Sequence, residues 1–376
     1  MNRKKIAVNT RFLIENKLEG IGWFSYETLK RITIAHPEID FYFIFDRPYD
    51  ASFIFSKNVQ PIVIGPPARH PILWYIWFEF SLRKCLSEIK PDLFFSPDGY
   101  LSLSASCPQH IVIHDLAFEH YPMFVPYLAR KFYQYFTPKY ADKAMRIATV
   151  SNFTKDDIVR LYGIQEGKID VVYNGANELY RPLSEEERKA VQGEYSDGKK
   201  YFIYNGAIHP RKNLKNIFLA FDMYKGKWGS DCKLIVAGRK AWQFADIFDT
   251  YESMKHKADV VFTGHVSQAV LHKLMASAEA LLYVSLFEGF GIPIVEAMQC
   301  GTPIIASNTT ATAETSGDAA IKVSPEDIDS IALAMHSLSE NPDMRKEYIQ
   351  RGIEHAKKYS WDITASKLWD SINKCL

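Results

Sequence analysis

The feature that most constrains the fold is a recurrence of short, continuously apolar segments separated by longer amphipathic ones. Parallel strands covered by helices on both faces have such unbroken runs, whereas half-exposed strands alternate. We therefore predict βαβ units and doubly wound parallel sheets in an α/β fold. The predicted strands are 4–9, 41–45, 61–65, 92–97, 110–115, 146–151 and 169–173, then 201–206, 233–238, 259–264, 280–285, 303–307 and 320–323.

A polar, charged segment at 181–199 separates the two series of strands. A chain of 376 residues also exceeds the size at which one hydrophobic core usually stops growing. We predict two Rossmann-like domains, 1–180 and 181–358, that face a central cleft. Ligands of open α/β sheets bind outside the carboxyl ends of the strands, so functional residues are expected directly after the strands.

Composition excludes several classes of protein. The 45 basic and 44 acidic residues give a net charge of +1, so we expect no nucleic-acid partner. No apolar run approaches the about 18 residues of a spanning helix or forms a signal-peptide core, which predicts a cytoplasmic protein. The cysteines are odd in number and scattered, which argues against disulfides and zinc. They are Cys85, Cys107, Cys232, Cys300 and Cys375, and Cys300 is expected to fill space in the core.

The segment 280–307 gives the strongest chemical signal. An apolar strand leads into a glycine-containing loop with Glu288, then into a helix with Glu296, then into another strand. Ionised carboxylates accept hydrogen bonds from adjacent hydroxyl groups, as a sugar offers. Pro293 suits the first helical position, and Gly301 suits the left-handed residue beyond the helix end. We expect both carboxylates to face one crevice.

The run Glu288-Gly-Phe-Gly-Ile-Pro-Ile-Val-Glu296 resembles the E-x7-E signature of family-4 glycosyltransferases, which have the GT-B fold. The resemblance extends over nearly the whole chain. Each of its motifs is weak evidence alone, but their order along the chain is strong evidence. They are Gly20-Ile-Gly22 before a helix that opens at Trp23, His114-Asp-Leu, Asn205-Gly-Ala-Ile-His-Pro-Arg211-Lys212-Asn213, Ala237-Gly238, Phe262-Thr-Gly264, and Tyr359-Ser-Trp361 at the start of a C-terminal segment, 359–376, that crosses back to the first domain.

This resemblance implies a retaining transfer of a hexose from a nucleotide diphosphate sugar. The N-terminal domain would bind the acceptor and the C-terminal domain the donor. Glu288 and His114 would contact the transferred sugar, and Glu296 the ribose. Arg211 and Lys212 would neutralise the diphosphate as charge grows on it. The remaining donor-binding positions would be Gly20, Gly22, Asn205, Gly206, Gly264, Gly289, Phe290, Gly291 and Ile292.

The resemblance also implies that no cofactor or metal takes part. Many relatives carry an arginine where this chain has Ala207, so Arg211 either replaces that charge or diphosphate binding is weaker. GDP-mannose is the expected donor, and a saccharide or lipid-linked saccharide in polysaccharide assembly the acceptor. The alternatives are a nucleotide-sugar epimerase of the same fold and a non-catalytic nucleotide-sugar-binding protein.

Aromatic and basic residues concentrate in 71–84 and 121–140. Amphipathic segments of this kind lie at lipid surfaces, which would suit a lipid-linked acceptor at the inner face of the membrane. A core-facing helix with aromatic packing accounts for the same pattern. The sequence leaves both interpretations open.

Overall fold

The computed structural model describes residues 3–239 and 245–376, which form two compact units. Unit 1 contains residues 1–175 and 360–376, and unit 2 contains residues 176–359. Each unit has its own parallel sheet. Among the described residues, no helix is long and apolar enough to cross a membrane.

Unit 1 is built on a seven-stranded sheet with the strand order β3-β2-β1-β4-β5-β6-β7. Its strands are β1 (Lys5–Asn9), β2 (Asp40–Phe45), β3 (Val59–Val63), β4 (Leu93–Ser96), β5 (Gln109–Ile113), β6 (Arg146–Thr149) and β7 (Ile169–Val171). Its helices are α1 (Gly20–Ala35), α2 (Pro71–Ile76), α3 (Arg83–Ile89), α4 (Ala117–His120), α5 (Tyr127–Lys143) and α6 (Asn152–Tyr162), with a π-helical turn at Trp77–Leu82.

Unit 2 repeats this design with six strands in the order β10-β9-β8-β11-β12-β13. Its strands are β8 (Tyr201–Asn205), β9 (Lys233–Ala237), β10 (Val260–Gly264), β11 (Ala280–Tyr283), β12 (Ile304–Ser307) and β13 (Ile321–Val323). Its helices are α7 (Glu185–Ser196), α8 (Leu214–Trp228), α9 (Ala245–Ser253), α10 (Gln268–Ser277), α11 (Ile292–Gln299), α12 (Thr310–Ser316), α13 (Ile328–Glu340) and α14 (Pro342–Ala356). The last helix of the chain, α15 (Trp361–Asn373), belongs to unit 1.

Every predicted strand segment contains a strand, because the central strands are buried along their whole length, as β5, β9 and β11 show. The third prediction, 61–65, is displaced: β3 covers Val59–Val63. It lies at the sheet edge, where a partly exposed strand has no continuous apolar run to mark its ends.

The helix expected to open at Trp23 begins earlier, at Gly20. The Trp23 amide already donates to Glu19 O at 2.8 Å. A β-carbon at Gly22 would lie 3.0 Å from Phe12 O, so the missing side chain lets this first turn pack against the preceding loop. Cys300 is buried, as predicted.

The aromatic segments divide between the core and the surface. Trp77 and Phe78 are fully buried, and Phe132 packs in the same core cluster. The same segments also expose apolar side chains, namely Ile72, Tyr75, Phe80, Met123, Tyr127, Leu128 and Tyr135. The core-packing interpretation therefore explains only part of each segment.

The C-terminal helix is fastened to unit 1 at several points. Ser371 Oγ lies 2.8 Å from His110 Nε2 and donates to Asp170 at 2.7 Å. At the start of this helix, Gly175 leaves no room for a side chain, since its β-carbon would lie 2.3 Å from Trp361 N. Gly175, which ends the first part of unit 1, therefore packs directly on the first turn of α15.

Candidate functional site

Three neighbouring strands of unit 2 end in closely packed glycines. Gly206 N donates to Ala237 O at 3.0 Å, and Gly238 N donates to Gly264 O at 2.9 Å. A β-carbon at Gly238 would lie 1.8 Å from Gly206 O, so no other residue fits there without movement of the backbone. The carboxyl edge of β8, β9 and β10 is thus lined by backbone, which a ligand can approach closely.

A short turn after β8 carries the two candidate diphosphate-binding cations. Asn213 ends this turn in the left-handed region, with φ of 61°. Its buried side-chain amide donates to Val284 O at 2.9 Å and to Pro325 O at 2.7 Å. The backbone of Arg211 accepts from Leu286 N at 2.9 Å. These bonds fix Arg211 and Lys212 beside the loop that follows β11.

Glu288 lies between these two cations. One carboxylate oxygen accepts from Lys212 Nζ at 2.6 Å, and the other from Arg211 Nη1 at 3.1 Å. Burial alone would raise the pKa of Glu288, but Lys212 and then Arg211 outweigh it and hold the pKa at about 2. Lys212 Nζ also donates to Tyr283 Oη at 3.2 Å. Glu288 is therefore charged at every physiological pH.

The glycine loop after Glu288 leads directly into α11. Gly291 adopts φ of 99°, and a β-carbon there would lie 3.2 Å from the ring of Tyr283. Phe290 is buried, and its carbonyl accepts from Thr315 Oγ1 at 2.8 Å. The helix begins at Ile292, so Pro293 occupies its second position rather than the predicted first. The helix N-terminus has no side-chain cap, but Pro293 has no N–H and the Ile294 amide donates to Gly291 O at 2.9 Å. Of the first three residues of the helix, only Ile292 therefore has an amide that could face an anion.

Glu296 lies on α11, in an environment different from that of Glu288 in the preceding loop. It is 8% exposed, and burial raises its pKa to about 7, opposed only by the nearby hydroxyl of Tyr180. Glu296 is therefore not a solvated side chain on the helix surface. A buried carboxyl group without a cation is expensive unless a ligand supplies hydrogen-bond donors.

In unit 1, His114 follows β5. Its Nε2 lies 2.8 Å from Pro97 O, and because a carbonyl only accepts, Nε2 carries the proton and Nδ1 is an acceptor. Burial lowers the pKa of His114, which keeps the ring neutral. The ring meets Phe24 of α1 edge-on at 5.0 Å, next to the helix turn that contains Gly20 and Gly22. Asp115 accepts from Ala117 N at 2.9 Å, as expected of a turn-capping residue.

Sequence analysis missed a polar cluster of unit 1 that contains Arg11, Asn9 and Asp98. Arg11 Nε donates to Asp98 at 2.6 Å, and Asn9 Nδ2 donates to the same carboxylate at 2.7 Å. The Arg11 guanidinium lies 4.0 Å from the centroid of the Tyr100 ring. Arg11 and Asp98 follow the adjacent strands β1 and β4, so the rule that functional residues follow strands would have identified them.

The structure brings the sequence-derived residues together in two groups. In unit 2, residues 205–212, 264 and 288–296 lie at the carboxyl ends of the strands or in the segments that follow them. In unit 1, Gly20, Gly22 and His114 lie on neighbouring segments after β1 and β5. Within residues 3–239 and 245–376, no three His, Cys, Asp or Glu side chains are grouped so that they could hold a metal ion.

Comparison with known proteins identifies the family. Residues 185–355 match the family model of glycosyl transferases group 1, and residues 35–178 match that of Glycosyltransferase Family 4. The chain is 27% identical to O-antigen chain mannosyltransferase B of Escherichia coli over 369 residues, which covers 93% of this chain and 94% of the relative.

It is also 27% identical to O-antigen chain mannosyltransferase RfbU of Salmonella typhimurium over 293 residues, 78% of this chain and 76% of the relative. The sucrose-phosphate synthase of Thermosynechococcus elongatus has a similar fold, with a TM-score of 0.79 at 17% identity over 99% of each chain. With its two parallel-sheet units, this chain is a glycosyltransferase of family 4 with the GT-B fold, similar in sequence to O-antigen mannosyltransferases.

Proposed function

We propose that this glycosyltransferase transfers a hexose, with retention of configuration and without a metal ion, from a nucleotide diphosphate sugar. The expected donor is GDP-mannose. The expected acceptor is a saccharide or lipid-linked saccharide in the assembly of an O-antigen-type polysaccharide. The proposal takes its sugar and pathway from the names of the two bacterial relatives.

The observation that carries the proposal is the arrangement of Lys212 and Arg211 around Glu288, within 3.1 Å of its oxygens and directly after two glycine-ended strands. As the bond between the sugar and the diphosphate breaks, negative charge develops on the leaving phosphate. Two fixed cations and the Ile292 amide at the start of α11 stabilise that charge without reorganisation, which supplies the largest part of the proposed catalysis. They also supply the positive charge for which other transferases use a metal.

Each remaining residue has a defined role in the proposal. Glu288 accepts hydrogen bonds from the transferred sugar, and Glu296 from the ribose hydroxyls. His114, neutral and with Nδ1 as an acceptor, binds a further hydroxyl of the sugar. The glycine backbones at 206, 264, 289 and 291 allow the donor to approach closely, together with Asn205, Phe290 and Ile292. Gly20 and Gly22 present the first amides of α1 to the phosphate.

Retention follows if the acceptor hydroxyl attacks the anomeric carbon from the side of the departing diphosphate. The new carbon–oxygen bond forms as the bond to the phosphate oxygen breaks, and that phosphate oxygen takes the acceptor's proton. Protons and charge balance without a protein base. This route requires positioning, which the residues around Glu288 provide.

The test is a thermal-shift panel of GDP-, UDP-, ADP- and CMP-sugars with a chelator present, followed by a transfer assay with the nucleotide that stabilises the protein. Bound ligand raises the melting temperature by mass action. We expect selective stabilisation by GDP and GDP-mannose, and an α-linked product. Release of an epimerised sugar would support the epimerase alternative, and binding without turnover the non-catalytic one.

We further propose that unit 1 contacts the inner face of the membrane through 71–84 and 121–140. The exposed side chains of Tyr75, Phe80 and Tyr135 lie on this surface with exposed basic residues, among them Arg83, Lys84, Lys131 and Lys139. Aromatic side chains with flanking cations suit the interface of an anionic bilayer. At the membrane surface, a cytoplasmic protein would gain access to a lipid-linked acceptor.

Co-sedimentation with vesicles checks this contact. We expect binding to phosphatidylglycerol vesicles, weak binding to phosphatidylcholine vesicles, and loss of binding in Phe80→Ser. Leu333→Ser is a matched control, because Leu333 is a similarly exposed apolar residue, 54% against 58% for Phe80, in unit 2. Equal binding of the Phe80 variant and the wild type would refute the contact.

A further inference from the structure

We propose that Asp98 is a positioning residue for His114: its carboxylate, paired with Arg11, holds the turn whose Pro97 carbonyl accepts from the His114 ring. The proposal rests on the proposed function, in which His114 Nδ1 binds a hydroxyl of the transferred sugar. It adds to that function a buried ion pair outside the motifs of the family resemblance. All of these residues belong to unit 1.

The first observation concerns the turn after β4, residues 97–100. Pro97 has no N–H group, and Gly99 has φ of 84°, in the left-handed region. In the described part of the chain, the main chain of these four residues forms no hydrogen bond with another main-chain group. Side-chain contacts therefore hold this turn in place.

The Asp98 carboxylate makes three of these contacts. One oxygen accepts from Asn9 Nδ2 at 2.7 Å and from Ser96 Oγ at 2.9 Å. The other oxygen accepts from Arg11 Nε at 2.6 Å. Asn9 ends β1 and Ser96 ends β4, so Asp98 ties the turn to the carboxyl ends of two adjacent strands.

Arg11 is held by aromatic rings as well as by Asp98. Its guanidinium lies 4.0 Å from the centroid of the Tyr100 ring and 5.2 Å from that of Phe78, and these two rings stack on each other. The side chains of the ion pair are only 4% and 1% exposed. Separating the pair would leave two charges shielded from water and unpaired, so the pair keeps one geometry.

The carbonyl of Pro97 connects this ion pair to His114. It lies 2.8 Å from His114 Nε2 and accepts a hydrogen bond from that nitrogen. Within residues 3–239 and 245–376, the His114 ring makes no other hydrogen bond, so this contact sets the tautomer and leaves Nδ1 as the acceptor. The edge-on contact with Phe24 restricts the tilt of the ring, but it does not select the nitrogen that carries the proton.

The main chain of His114 is anchored separately. Its carbonyl accepts from Thr154 Oγ1 at 3.2 Å, and the preceding residue lies in β5, which pairs with β6. A change at Asp98 therefore reaches the His114 ring through Pro97 O, while the backbone of His114 stays in place.

A fixed ring matters for the proposed reaction. A sugar hydroxyl can donate to Nδ1 only while that nitrogen has a free lone pair. If the Pro97 carbonyl moves away, the ring can turn or carry its proton on Nδ1, and the sugar loses a preorganised acceptor. In the proposed function the nucleotide makes no contact with His114, so the affinity for GDP should not depend on Asp98.

The experiment follows the Nε2 proton of His114 by NMR spectroscopy of unliganded, histidine-labelled protein, with the signal identified by its absence from His114→Gln. We expect this proton to exchange slowly with water in the wild type. In Asp98→Asn it should exchange roughly tenfold faster, the effect of weakening one hydrogen bond.

Transfer kinetics complete the measurement. Asp98→Asn should lower kcat by roughly tenfold and leave the affinity for GDP unchanged. In a His114→Gln background it should cause no further loss of kcat, because both variants interrupt the same series of contacts.

Asp46→Asn is the matched control. Asp46 is a buried aspartate directly after β2 that pairs with Arg47 at 2.6 Å and accepts from Ala68 N at 2.8 Å. Its replacement should lower the melting temperature and leave the His114 proton and kcat unchanged. Arg11→Lys keeps the buried charge but loses the Nε donor, so it should speed the same proton exchange and serves as the test if Asp98→Asn does not fold.

Wild-type exchange of the His114 proton in Asp98→Asn or in Arg11→Lys overturns the positioning role, as does an equally faster exchange in Asp46→Asn. A further loss of kcat in the His114→Gln background also overturns it, because Asp98 would then act independently of His114. These results leave the proposed function intact. A wild type that shows the protected proton but transfers no hexose overturns the proposed function and leaves the contact between Asp98 and His114 standing.

Discussion

Glu288 and Glu296 lie in one segment of unit 2 and have opposite electrostatic surroundings. Glu288 bonds to Lys212 and Arg211, which hold its pKa at about 2. Burial raises the pKa of Glu296 to about 7, opposed by one tyrosine. Identical side chains at a fixed spacing therefore give two different chemical groups, because their neighbours come from distant parts of the chain.

In the proposed function, the two carboxylates are used differently. Glu288 is charged and oriented before any ligand arrives, as catalytic preorganisation requires. Glu296 pays a desolvation cost that ligand hydroxyls can relieve, so it favours the bound state. Variants at the two positions should therefore differ in activity, stability and pH dependence.

Replacing the preorganised carboxylate should have the largest effect. Glu288→Gln is expected to lower kcat by about a thousandfold, because it removes the acceptor for the sugar and unbalances the two cations. Steady-state transfer kinetics measure this. Glu326→Gln, at an exposed glutamate of unit 2, is the control and should retain full activity. Activity of Glu288→Gln near that of the control would refute the assignment of Glu288.

The two cations should contribute unequally. Lys212 Nζ lies 2.6 Å from Glu288, whereas Arg211 Nη1 lies at 3.1 Å and also bonds to Phe287 O. Lys212→Ala is expected to lower kcat/KM for the donor by about a hundredfold, and Arg211→Ala by less. A larger loss in the Arg211 variant would show that Arg211 carries the charge that Ala207 lacks. Unchanged kinetics in both variants would exclude a diphosphate role.

In the unliganded protein, the charges of Glu288 and Glu296 should have opposite effects on the free energy of unfolding. Above pH 7 the folded state holds Glu296 charged at a cost of about 3 kcal/mol, which falls away as the pH drops from 7 to 4.5. Glu296→Gln should therefore raise the melting temperature at pH 8 and lose this advantage near pH 4.5. Glu288 has a depressed pKa, so its contribution is present above pH 4.5 and disappears as the pH falls towards 2.

Glu288→Gln should accordingly lower the melting temperature at pH 8, where Glu296→Gln raises it. Calorimetry of both variants and the wild type measures these shifts. A destabilising effect of Glu296→Gln at pH 8 would show that its carboxylate has a cation or donor in solution that compensates for burial.

The smallest expected effect is the pH dependence of nucleotide binding by the wild type. Nucleotide affinity should fall severalfold from pH 8 to pH 6, because Glu296 takes up a proton near pH 7 while Glu288 keeps its charge. The affinity for GDP, measured across this range, should fall in a single step as the pH decreases. Glu296→Gln should abolish this fall. A profile that stays sloped in that variant would assign the proton to another group.

The sequence predicted the layered fold well because buried parallel strands leave unbroken apolar runs. It predicted that Glu288, Lys212 and His114 lie in the segments that follow strands, where polar residues meet at one edge of a sheet, and the structure has them there. The sequence did not predict that Glu288 and Glu296 have different pKa values, since these depend on which side chains from other parts of the chain lie beside each carboxyl group. Asn213 acts through such long-range contacts, to Val284 O and Pro325 O, and carries no local pattern.

The start of α1 and the ends of β3 were misplaced for a related reason. Glycines are poor helix formers, so Gly20 and Gly22 argued for a loop, whereas close packing of Gly22 on Phe12 O favours the helix there. β3 is partly exposed at an edge, where hydrophobic periodicity is weakest.

The contact between Gly175 and Trp361 has a consequence for synthesis on the ribosome. Unit 2 is inserted within unit 1, and α15, which binds α1 and β6, is translated after unit 2. We expect unit 2 to mature before unit 1, because the sheet of unit 1 is completed only when this helix is available. A chain that stops at Tyr359 should therefore retain a protease-resistant unit 2 beside a degradable unit 1. If both units of that truncated chain resist protease equally, the order of maturation does not depend on the last helix.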